Sequence, residues 1–167
     1  MALEWRNLFR RIGAKPDKPA KEAPDLYYNI EPIDNTGAIY RMIIGQRSNG
    51  KTYKVCKHIV EDYINKGKRG AYIMRYEESI TPKNLQSLFN PHLQLIWEIS
   101  EHKWNSIFYR AKEFHLCAID SEGKIIAKDD TAFCITAAIN TSENTKGEDR
   151  GEVQTIVFDE FMTRSGY

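Results

Sequence analysis

An α/β fold is predicted by three features of this sequence. A short apolar run, Ile39 to Ile44, ends in Gly45 and reads as a buried strand. Immediately after the turn that follows, residues 52–66 place Val55, Cys56, Ile59, Val60 and Tyr63 on one helical stripe. Two further apolar runs, Ala71 to Met74 and Thr155 to Phe158, have the length and composition of buried strands.

The remaining elements follow in order. Residues 1–12 set Trp5, Leu8, Phe9 and Ile12 at helical spacing and predict a short amphipathic helix. Its few arginines favour packing on its own domain or on a partner over a membrane surface. Residues 13–25 contain three prolines and no large apolar side chain, so they read as a linker. The globular domain then spans 26–167. Gly67 supplies a stop for the helix at 52–66. Thr81-Pro82 opens a helix over Lys83 to Phe89, which Asn90-Pro91 should end. From Trp104 to Ile139 the texture changes to short β-prone runs. Ile107–Tyr109, Phe114–Ile119, Ile125-Ile126 and Phe133–Ile139 are separated by turn material such as Asp120 to Gly123. That stretch predicts a β-hairpin region leading back into the main sheet. Residues 140–151 form a polar loop.

Composition bounds the function. The chain has 167 residues, enough for one well-cored domain, with 41% hydrophobic and 28% charged residues. A net charge of +1 excludes a global basic field, so any nucleic-acid contact must come from local loops. Cys56, Cys117 and Cys134 form no CxxC pair, which argues against zinc and disulfide frameworks and for a reducing compartment. No apolar run approaches the roughly 20 residues that cross a bilayer.

Two motifs carry chemistry. Gly45-Gln46-Arg47-Ser48-Asn49-Gly50-Lys51-Thr52 fits GxxxxGK[ST], the Walker A loop, at every fixed position. Its glycines let successive backbone N–H groups turn toward phosphate oxygens. Lys51 is placed to reach the β- and γ-phosphates of ATP, and the Thr52 hydroxyl to ligate Mg²⁺. Residues 155–160, TIVFDE, read as the second half of such a site, Walker B. Asp159 at the strand's C-terminal end would hold the Mg²⁺, and Glu160 is placed to polarise an attacking water. A hydroxyl acceptor needs no such activator, so the acidic pair favours hydrolysis over phosphoryl transfer by a kinase. Two alternatives stay open: a P-loop nucleotide kinase, and a nucleotide-binding module that does not hydrolyse.

Four blocks in order resemble a known family, the DNA-packaging (encapsidation) ATPases of small short-tailed bacteriophages. Leu26-Tyr27-Tyr28-Asn29 is similar to an aromatic-Asn segment ahead of the first strand. Arg47 stands where the family's Walker A holds an arginine. Ala71 to Tyr76 resembles the next strand with its terminal Arg-Tyr, and residues 155–161 match the family's Walker B. The resemblance implies a P-loop ASCE, RecA-like, three-layer domain with a mainly parallel sheet and a hairpin insertion before Walker B. It implies an ATPase that drives double-stranded DNA into a procapsid as a homo-oligomeric ring, a pentamer. Its setting would be the host cytoplasm, its partners the viral portal and a packaging RNA, and no membrane.

The resemblance also places the base of ATP near Tyr28 and Asn29, and gives Arg47 a phosphate contact in its own site or a neighbour's. Lys146, nine positions before Thr155, matches a loop lysine thought to act on a neighbouring subunit's nucleotide. Lys146 and Arg150 are also the loop cations to test for DNA contact. The family's chains are about twice as long, so a chain ending just after Walker B is expected to bind ATP and turn it over poorly.

Overall fold

The computed structural model describes residues 29–45, 49–140 and 151–159. A four-residue helix, α1 (Glu31–Asp34), comes first. The helix after the GxxxxGK[ST] loop, α2, runs Lys51–Lys66, and its backbone ends at Gly67 with φ 67°, the left-handed stop that glycine favours. Strand β1 (Gly70–Met74) follows at once. Helix α3 (Pro82–Phe89) has Thr81 at its N-cap, whose Oγ1 accepts from Asn84 N at 3.3 Å. Asn90-Pro91 ends α3 as expected, with Asn90 as its C-cap. It forms a 3₁₀ turn, Asn90–His92, which feeds directly into α4 (Leu93–Ile99). Proline sits in the first turn there, where its missing N–H costs nothing.

Four strands follow before the polar loop: β2 (Ser106–Arg110), β3 (Glu113–Ile119), β4 (Ile125–Lys128) and β5 (Cys134–Ala138). The last strand described, β6, is Thr155–Phe158. Sheet order is β2-β3-β5-β1-β6, and β4 also pairs with β3. β5, β1 and β6 are parallel, whereas β2, β3 and β4 are antiparallel neighbours. β5 joins the two parts by pairing antiparallel with Glu113-Phe114 of β3. The sheet is therefore mixed, with a parallel half that carries β6 and Asp159 at its end and an antiparallel half made by the expected hairpin region.

One expectation fails. Residues 39–44 form no strand, and Ile39, Tyr40, Met42 and Ile44 are 91%, 92%, 71% and 65% exposed. A strand apolar on both faces is stable only with ladder partners beside it and layers over it. Among the described residues the sheet ends at β6 on one side and β2 on the other, and neither edge pairs with 39–44.

The core lies between the described helices and the sheet. Cys56, Ile59 and Val60 of α2 meet Leu85 and Phe89 of α3, Ile96 of α4, Tyr72 of β1, and Phe114, Leu116, Phe133 and Cys134. Phe89 packs edge-on to Phe114 (4.8 Å) and Phe133 (5.0 Å). All three cysteines are free thiols and buried.

His92 is also fully buried, stacked on Tyr53 at 4.4 Å, and neither ring nitrogen has a hydrogen-bond partner. Burial first, and the Lys57 charge second, push its pKa down to about 4. An unfolded imidazole takes a proton near pH 6.5, so the stability held by neutral His92 is complete above that pH. It is lost as pH falls from 6.5 toward 4, by up to about 3 kcal/mol. Urea midpoints should drop across that window, and His92→Leu should flatten this part of the profile. An unchanged slope in the leucine variant would contradict the assignment.

Candidate nucleotide site

Gly50 is the N-cap of α2 with φ 79°, a conformation that side-chain-bearing residues rarely adopt. The second glycine of the motif is therefore demanded by backbone geometry. A Cβ on Gly45, the first glycine, would stand 2.9 Å from Asn49 Nδ2 and 3.6 Å from Lys51 Nζ, both movable side-chain ends. Lys51 folds back over the loop and donates to Gly45 O (3.0 Å) and Asn49 Oδ1 (2.9 Å). Its ammonium thus sits among oxygen acceptors at the start of a 16-residue helix, where the helix dipole favours an anion.

Next along the chain, the Thr52 hydroxyl donates to Asp159 Oδ2 at 2.9 Å. Asp159 is held there because it directly follows β6, and its backbone N donates to Ile73 O of β1 (3.2 Å). β6 runs parallel to β1, so its carboxylate emerges at the same sheet end as Met74. Thr52 and Asp159 are 107 positions apart, yet they form one contact. A second hydroxyl reaches the same oxygen: Tyr72 OH donates to Asp159 Oδ2 at 2.5 Å. Tyr72 is 1% exposed and its ring lies in the core. The sequence reading missed this role. The available signal was a tyrosine inside a buried strand, whose phenol must find a partner.

Cys56, one turn into α2, is fully buried, and burial followed by the Asp159 charge pushes its thiol up to about 12. It is a core thiol with no nucleophilic character at neutral pH. The oxygen-only set of a threonine hydroxyl and a carboxylate suits a hard cation such as Mg²⁺, and the lysine beside it suits a polyphosphate.

The structure therefore brings together Gly45, Asn49, Gly50, Lys51, Thr52 and Asp159. Asn29 is exposed, and its Oδ1 accepts from Glu31 N at 3.0 Å at the start of α1. Tyr28, Gln46, Arg47, Ser48, Lys146, Arg150 and Glu160 lie outside the described residues, as do the segments 1–12 and 13–25. No helix among the described residues is long and apolar enough to cross a membrane.

Comparison with known proteins bears on the family and the fold. The DNA packaging protein of Bacillus phage B103 is 30% identical over 132 residues, covering 77% of this chain and 35% of that protein. The DNA packaging protein of Bacillus phage phi29 is 26% identical over 137 residues, covering 82% of this chain and 35% of that protein. The chain thus spans about a third of the length of these relatives. The crystal structure of the N-terminal domain of the phi29 DNA packaging ATPase superposes with a TM-score of 0.64 at 21% identity. It covers 85% of this chain and 63% of that one, and so shows a shared mixed α/β fold. The family model of the podovirus DNA encapsidation protein (Gp16) matches residues 23–166. With that match over most of its length, the chain belongs to the podovirus DNA encapsidation protein (Gp16) family.

Proposed function

We propose that this chain is the ATP-binding domain of a DNA-packaging motor, with an ASCE, RecA-like P-loop core. The observation that carries the reading is the 2.9 Å contact between Thr52 and Asp159, with Lys51 beside it at the head of α2. A glycine-turned loop and an acidic strand end meeting in this way form the metal and phosphate side of a hydrolase.

In this reading the triphosphate lies over Gly45 to Thr52, with the base near Tyr28 and Asn29. Thr52 and Asp159 would hold the metal. A bound magnesium would supply positive charge to the triphosphate. Lys51 leaves its loop acceptors for phosphate oxygens, which are stronger because they are charged. Glu160, adjacent to Asp159 in sequence, orients the water. Arg47 contacts phosphate within its own site or across a subunit interface. An arginine supplied in trans is worth about 10³–10⁵ in rate for P-loop enzymes. Lys146 serves a neighbouring site, and Lys146 and Arg150 offer salt-dependent contacts to DNA phosphates. The ring, a pentamer, works on double-stranded DNA at the procapsid in the host cytoplasm, with the portal and a packaging RNA as partners.

Phosphate release from γ-labelled ATP tests the reading. Slow release of free phosphate by this chain is the expected outcome. Faster release is expected from a chimera carrying the remaining length of the phi29 packaging protein. Label transferred to an acceptor would point to a kinase. Nucleotide bound without turnover in either protein would leave only a binding module.

A further inference from the structure

We propose that Tyr72 is a positioning residue for Asp159, setting the carboxylate's orientation for the metal. This deepens the nucleotide-site reading above and rests on it. Tyr72 stands at the centre of β1, opposite Val157 in the parallel ladder. From there its phenol reaches past the end of β6 to Asp159 Oδ2 at 2.5 Å. The Thr52 hydroxyl donates to the same atom at 2.9 Å. A carboxylate just beyond a strand end can rotate about both its side-chain torsions. Two hydroxyls converging on one oxygen, one from the loop helix and one from the neighbouring strand, fix both.

The two donors are not equivalent. Thr52 belongs to the phosphate loop, so its hydroxyl must also serve the metal. Tyr72 is anchored in the core among Cys56, Ile59 and Phe89 and belongs to the rigid half of the site. Its bond is made from a buried ring, where the low local dielectric strengthens it. Tyr72 therefore holds the carboxylate pre-oriented while Thr52 changes partners. Partners behind a metal ligand commonly matter by about 10- to 100-fold in metal affinity.

A purely structural tyrosine would lower stability on removal of its hydroxyl and leave the metal response alone. The deciding measurement is the Mg²⁺ dependence of binding of a fluorescent ATP analogue to this chain and to Tyr72→Phe. Affinity in EDTA should match between the two proteins, while the Mg²⁺ midpoint of the variant should rise by about tenfold. A folded variant with the wild-type midpoint overturns the proposal. Wild-type protein that binds no nucleotide overturns the nucleotide-site reading itself, a separate result. Should the phenylalanine variant not fold, 3-fluorotyrosine at position 72 provides the second readout. Its ¹⁹F resonance should move with Mg²⁺ at the binding midpoint, and a resonance indifferent to the metal overturns the proposal.

Discussion

Lys51→Ala is expected to weaken ATP binding by about a hundredfold, the loss of charge-assisted hydrogen bonds to phosphate. Among the described residues of the loop, Lys51 carries the cation, bonded to Gly45 O and Asn49 Oδ1. Removing it takes away the cation and leaves the helix dipole and backbone amides as the remaining attraction. The fold should survive, because the side chain is only part-buried and Gly45 and Asn49, to which it donates, belong to the same loop. Arginine should not rescue it, since a planar fork does not fit a cradle shaped for a compact ammonium. Glu160→Gln should behave in the opposite way, with affinity retained and hydrolysis lowered by about 10²–10⁴. Titration of a fluorescent nucleotide against both variants separates the roles. An alanine variant that binds like wild type would remove Lys51 from the site, and a glutamine variant that hydrolyses normally would remove Glu160 as the water activator.

Phe133→Ala should cost about 3–5 kcal/mol, a large part of the roughly 5–15 kcal/mol that holds a domain folded. Phe133 is fully buried, edge-on to Phe89 at 5.0 Å, 5.9 Å from Phe114 and 6.0 Å from Tyr63. Its backbone is equally committed: its N donates to Phe114 O and its O accepts from Gly70 N, both at 2.8 Å. With the ladder bonds holding the main chain in place, the site cannot collapse, and most of the ring's volume would stay as a cavity. Thermal melts should show a midpoint lower by about 10 °C or more, and urea melts a midpoint at lower concentration. Ile126→Ala, 66% exposed on β4, is the matched surface control and should stay within about 0.5 kcal/mol. A Phe133→Ala loss no larger than this control would show that the ring cluster is not the centre of the core.

Most helices and strands were legible because each carries a local signal. The stripe from Val55 to Tyr63 and the glycine at position 67 define α2, and Thr81-Pro82 marks the start of α3. The elements that were not legible depend on partners far away in sequence. Helix α4 hid behind Asn90-Pro91, a pair that ends α3 and at once opens the 3₁₀ turn leading into α4. The turn between β2 and β3 has no glycine or asparagine. Ala111 and Lys112 take φ values of 52° and 67°, held by contacts outside the hairpin. Lys112 Nζ pairs with Glu77 at 2.7 Å, and Lys112 O accepts from Thr136 N at 2.7 Å. The apolar run at 39–44 had a strand's composition, but composition does not supply a ladder partner.

The division falls along contact distance. The identity of the loop, the helix behind it and the acidic strand end follow from residues within about ten positions of one another, because a glycine's backbone freedom and a helix's periodicity are local properties. Tertiary structure alone decided that Thr52 and Tyr72, 107 and 87 positions away, would donate to one oxygen of Asp159. It also decided that, among the described residues, the parallel half of the sheet would end at β6. The reason is physical: strand order and hydroxyl direction are set by how layers pack, and packing has no period in the chain.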